Sequence, residues 1–178
     1  MNKHWAAFLV TFLMIGTLCS SAIMVAEEGR IELSGTINGA TIADHTTSEK
    51  ALAVSVSRPV RVAWRVYNGG PDTVYFLYID VAVSTVTKVL FWEFENQVWS
   101  GKLDIDDQGW DRDTSDKVAI DKNGWDKGAL TLDLTEYQDV LSGRTVKLTL
   151  AFNFEGKGAD GSVEDFVVSQ TVYLQFTE

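Results

Sequence analysis

Apolar residues recur at every second position in one segment after another from residue 31 onward, and that period admits few folds. A repeat of two puts alternate side chains on opposite faces of an extended chain, one toward a core and one toward solvent. Val146, Leu148, Leu150, Phe152 and Phe154 are the cleanest case. Ile31, Leu33, Gly35 and Ile37 repeat the pattern ahead of an Asn38-Gly39 turn, and so do Leu52, Val54 and Val56. Val60, Val62, Trp64 and Val66 form a further strand with Arg61 and Arg65 on its other face. Pro59 sits at its start, where a missing N–H costs least. Asn68-Gly69-Gly70-Pro71-Asp72 is the clearest turn in the chain. Val74 to Val83 is apolar on both faces, which predicts a central strand, and Val89 to Phe94 and Phe166 to Phe176 complete the set.

About eight strands joined by short turns, without helical crossovers, predict an all-β fold, an antiparallel β-sandwich. The expected topology is Ig-like, with a jelly roll as the alternative. Helix signals are confined to Thr135-Glu136-Tyr137-Gln138, a capping-box pattern with Leu141 inside and Gly143 as its stop. A chain of 178 residues that is 46% hydrophobic holds enough apolar material for one core and leaves little room for a second domain.

Residues 1–26 differ in kind from residues 27–178, which form the expected sandwich domain. Lys3 and His4 make a basic start, Trp5 to Ala26 is a run of 22 residues without a charge, and Glu27-Glu28 closes it. That run fits a signal peptide, with Ser20-Ser21-Ala22 supplying small residues before the cut. It equally fits a retained hydrophobic helix, whose length of ~33 Å would cross a bilayer as a membrane anchor. Cys19 invites a lipoprotein reading, but Leu18 holds the position that should be small. On every reading the domain is extracytoplasmic, either secreted or anchored to the membrane. The full chain's net charge of −10 sets it against phosphate backbones, so nucleic acid is not an expected partner.

Two stretches carry family resemblances. Residues 59–70, Pro59-Val-Arg-Val-Ala-Trp-Arg-Val-Tyr-Asn-Gly-Gly70, resemble extracellular Ig-like adhesion modules of the CARDB type, in which an alternating strand with a buried aromatic runs into an Asn-Gly turn. Residues 132–152, with Leu-Asp-Leu-Thr-Glu-Tyr and then Gly143 to Phe152, resemble a segment of jelly-roll carbohydrate-binding modules. The first resemblance implies surface adhesion or assembly, and the second implies sugar binding. Neither transfers a site residue.

Residues 99–128 depart from a minimal sandwich. Ile105-Asp106-Asp107-Gln108-Gly109-Trp110-Asp111-Arg112 returns 15 positions later as Ile120-Asp121-Lys122-Asn123-Gly124-Trp125-Asp126-Lys127. Two equivalent hairpin turns, each with a left-handed Gly beside a Trp, would explain the repeat. Asp104, Asp106, Gln108 and Gly109 match the first positions of an EF-hand-like loop, which suits Ca²⁺, although Ser115 stands where the bidentate Glu belongs. Trp99, Trp110 and Trp125 would offer aromatic faces to sugar rings, with Asp111 and Asp126 beside them to bond hydroxyls. The apolar last strand, Phe166 to Phe176, would suit assembly by strand exchange.

Catalytic signatures are absent from the sequence. His45, in Asp44-His45-Thr46-Thr47, is the one His after the leader, where it reads as an exposed loop residue, and there is no Gly-x-Ser-x-Gly elbow or phosphate-cradling loop. The chain therefore reads as a non-catalytic surface module for adhesion or assembly, as an envelope-complex or filament subunit. Its expected partners are other surface proteins or copies of itself. The alternative is a carbohydrate-binding module, calcium-stabilised through the 104–126 loops, with polysaccharide as partner. No other cofactor is expected.

Overall fold

Strand alternation organises the whole of the described chain. The computed structural model describes residues 31–104, 117–158 and 160–177, with Leu103 and Asp104 as backbone alone. The leader helix expected over residues 5–26 lies outside them. The strands are β1 (Ile31–Ile37), β2 (Ala40–Thr41), β3 (Leu52–Ser55), β4 (Val60–Asn68) and β5 (Val74–Val89). They continue as β6 (Trp92–Asp104), β7 (Val118–Ile120), β8 (Trp125–Leu132), β9 (Thr145–Lys157) and β10 (Val163–Thr177). One sheet runs β2-β1-β4-β8; the larger runs β3-β10-β9-β5-β6, with β7 on β5. The fold is all-β, and the two sheets pack as a sandwich.

The core lies between the sheets. Val62, Trp64 and Val66 from β4 meet Phe76 of β5 and Phe152 and Phe154 of β9, all buried. Trp64 and Phe152 touch edge to face across the gap, with centroids 6.0 Å apart. Such aromatic pairs add to what burial alone contributes. Gln170 of β10 also crosses between the sheets, donating from Nε2 to the Leu33 carbonyl at 3.1 Å.

Local chemistry sets the turns. Asn38 and Gly39 both take positive φ (50° and 90°), the conformation a two-residue hairpin needs. Asn68 is a fully buried polar side chain with its bonds made: Nδ2 donates to the carbonyls of Asp72 (2.8 Å) and Ile120 (2.9 Å), and Oδ1 accepts from the Gly70 N–H (3.0 Å). It ties the β4–β5 turn to β7.

Several expectations change. The strand at Val74 to Val83 is central, but it is not two-faced. Its pairing with β9 shifts between Phe76 and Tyr78, a bulge that moves the core-facing set from Val74 and Phe76 to Ile79, Val81 and Val83. Tyr78 faces outward with the Lys102 ammonium 3.7 Å over its ring. β3 joins the larger sheet parallel to β10, so the sandwich is not purely antiparallel. The short helix at Gln138–Leu141 and its stop, Gly143 at φ 71°, are present, with Leu141 buried. No capping box forms, because the Asp133 carboxylate takes both the Thr135 N–H (3.1 Å) and hydroxyl (2.6 Å). Those two bonds hold the Asp133 carboxyl below its ordinary range.

Candidate contact surface

β5 and β6 form one long hairpin, and its far end is the most unusual surface of the described chain. The segment Val89 to Phe94 was expected to be a strand; it is instead the tip of this hairpin, closed by a two-residue turn at Leu90 and Phe91. Nothing in the residue types announces a turn, since Gly, Asn, Asp and Pro are all missing from 86–95. Leu90 supplies the turn by taking φ 57°, a left-handed conformation uncommon for a side chain of that kind.

Pairing fixes which way the tip side chains point. Val89 faces Trp92, and Thr87 faces Phe94, on the side that continues from the buried Val81 and Val83. The same face that is core lower down is open here. Val89 is 51% exposed, Leu90 81%, Phe91 94%, Trp92 65% and Phe94 60%. Five large apolar side chains in one six-residue stretch make a contiguous patch, whereas exposed hydrophobics on a soluble surface are ordinarily scattered.

The other face of the finger is polar and braced. Lys88 pairs with Glu49, and Glu93 accepts hydrogen bonds from Ser48 Oγ and, at 3.2 Å, from the Tyr173 hydroxyl. Two rungs further back, Lys147 Nζ lies 2.6 Å from Glu95 Oε1. The bond from Lys88 holds the Glu49 carboxyl below its ordinary value and raises Lys88 in return. These ties run to the 48–50 turn and to β9 and β10, so the finger is held against the body of the larger sheet while its apolar face stays open.

The residues singled out from the sequence are dispersed. Trp99 is not in a loop: it lies in β6 opposite Val83, half-buried against the core and folded over Gly101. A Cβ on Gly101 would come 2.6 Å from the Trp99 ring, so that glycine is there for space. Trp125 opens β8, 52% exposed, with the Arg65 guanidinium 5.0 Å and the Lys127 ammonium 5.6 Å from its ring centroid. Asp126 is its neighbour in a strand, so it points to the opposite face, beside buried Val66, and is half-buried. Trp99, Trp125 and Asp126 therefore share no single face. Trp110, Asp111, Asp106 and Gln108 lie outside the described residues, as does the side chain of Asp104. Among the described residues no three His, Cys, Asp or Glu side chains gather as for a metal ion.

The second copy of the repeat is not a hairpin turn. It is a corner between sheets, leading from β7 on the larger sheet to β8 on the smaller. Asn123, not Gly124, takes the left-handed conformation (φ 57°); Gly124 is needed because a Cβ there would lie 2.7 Å from the Asp121 carbonyl oxygen. The apolar last strand pairs within its own sheet, with β9 along its length and with β3 at its end. His45 is half-buried and its Nδ1 bonds the Lys50 carbonyl at 2.6 Å, a link that shapes the 45–50 loop behind the finger. No helix among the described residues is long and apolar enough to cross a membrane.

These observations define a two-sheet all-β domain carrying an apolar finger. No family model matches the chain, and no curated protein matches it. Among solved structures it is similar to the sporulation control protein Spo0M of Bacillus subtilis, at 13% identity and a TM-score of 0.48. That match covers 84% of this chain, which spans half the length of Spo0M. It is also similar to a structural-genomics target, SoR45, at 9% identity and a TM-score of 0.37, covering 85% of this chain and 90% of the other. Neither is described as a CARDB-type module or a carbohydrate-binding module.

Proposed function

We propose that this is a non-catalytic, extracytoplasmic β-sandwich of Ig-like type that acts in adhesion or assembly at the cell surface, with the 86–94 finger as its contact element. The observation that carries this reading is the finger: an apolar face left open on a hairpin that polar contacts brace from behind. A face that serves only folding would end where the opposing sheet ends. The uncharged run over residues 5–26 supports the extracytoplasmic placement, whether as signal or as anchor.

The test compares the full chain with Phe91→Asp, made where the side chain is almost wholly exposed so that folding is untouched. Recovery from the native envelope, intact mass and sedimentation are measured for both. The reading expects the variant to keep its circular dichroism and lose envelope association or assembly. Unchanged association in the variant would remove the finger from any role.

A further inference from the structure

We propose that the finger's partner is a lipid surface: the tip enters the boundary between headgroups and acyl chains of a zwitterionic bilayer. This deepens the reading of the finger as the contact element and rests on it.

A second copy fits poorly. The five tip side chains expose on the order of 600 Å². A stable protein interface takes about 800 Å² from each partner and requires matched shapes. The tip is convex, its side chains spread around a two-residue turn, and each copy carries a net charge of −10 that repels another.

A bilayer needs no matching pocket and accepts a convex apolar tip. The hydrogen-bonded ladder of the hairpin runs up to the Val89–Trp92 pair, so few peptide groups enter the apolar layer unpaired. Trp and Phe suit the depth of the headgroup boundary. Lys88 and Glu93 sit one rung behind the tip, at headgroup height, each already held by the body of the domain. The acidic chain disfavours anionic lipid, and neutral headgroups remain.

The experiment uses the full chain with phosphatidylcholine vesicles whose acyl chains are brominated, a contact quencher of Trp. The emission of Trp92 is read as the difference between the chain and Trp92→Phe, so residues 5–26 do not enter the signal. The proposal expects Trp92 to be quenched, and Phe91→Asp to weaken that contact about tenfold or more. It also expects weaker quenching when phosphatidylglycerol replaces phosphatidylcholine. Trp92 equally bright in brominated and plain vesicles overturns the proposal. If, in that case, Phe91→Asp still changes sedimentation, the finger is a protein contact and the adhesion reading survives; if it changes nothing, both fall.

Discussion

The two halves of the β5–β6 hairpin carry the same alternation with opposite outcomes. In the lower half, Phe76, Ile79, Val81 and Val83 are buried beneath the smaller sheet; in the upper half, Val89, Trp92 and Phe94 continue that face and stand in solvent. The difference teaches that a period of two decides which face a side chain takes, while the extent of the opposing layer decides whether that face is covered. Apolar character in the upper half therefore contributes little to folding and is available for contact.

The sharpest way to break this comparison is one truncation in each half. Phe76→Ala should destabilise the domain by about 4 kcal/mol, through lost burial and the cavity left behind. Phe94→Ala should change stability by less than about 0.5 kcal/mol, as exposed substitutions do. Urea unfolding of both variants checks this, and similar losses would mean that the finger is part of the core.

A second substitution probes the other end of β5. Asn68→Ala removes the partner of the buried Gly70 N–H and Ile120 carbonyl and one bond to the Asp72 carbonyl, and should cost about 2–3 kcal/mol. It should leave finger contacts unchanged.

Leu90→Gly sharpens the comparison from the opposite side. Glycine relieves the left-handed φ of 57°, offset in part by the extra freedom of the unfolded chain, for a gain of about 0.5–1 kcal/mol. The same change removes one of the most exposed apolar side chains and should weaken lipid contact. A variant that is both more stable and worse at contact would show strain kept for function.

The smallest effect concerns pH. Glu49 is held below its ordinary value of 4.5 by Lys88, so its contribution is present above pH 4.5 and is lost as pH falls through the lowered folded value. Lys88 is raised above 10.5, so its contribution is present below pH 10.5 and is lost as pH rises through the raised folded value. Between those limits the brace is intact. Trp92 anisotropy should be steady from pH 6 to 9 and fall slightly near pH 3, with a small drop in Tm; no change at pH 3 would mean that the finger is held without the Lys88–Glu49 pair.

Much of the fold was legible because alternation is local. β1, β4 and β9 could be read residue by residue, as could the Asn38-Gly39 turn and the Gly143 stop. The two-faced look of Val74 to Val83 misled because one extra residue at Leu77 reverses parity without any mark in residue type. The finger was hidden for a related reason: a Leu in a glycine-like conformation closes it, so the segment read as one strand instead of two. Trp99 reads as an aromatic face open to a sugar ring, whereas Gly101 makes room for the Trp99 ring against the core. Trp125 and Asp126 looked like one site, and β8 sends them to opposite faces.

Strand direction has a mechanical consequence. β1 begins at Ile31, paired with Asn68, at the end of the molecule away from the finger, and runs toward it to Ile37, paired with Val62. Tension between a held finger and the chain before Ile31 would draw β1 along its own axis, so its rungs with β4 would share the load side by side instead of peeling in turn. Loaded that way, the domain behaves as a stiff strut, roughly 50 Å from the base of β5 to its tip.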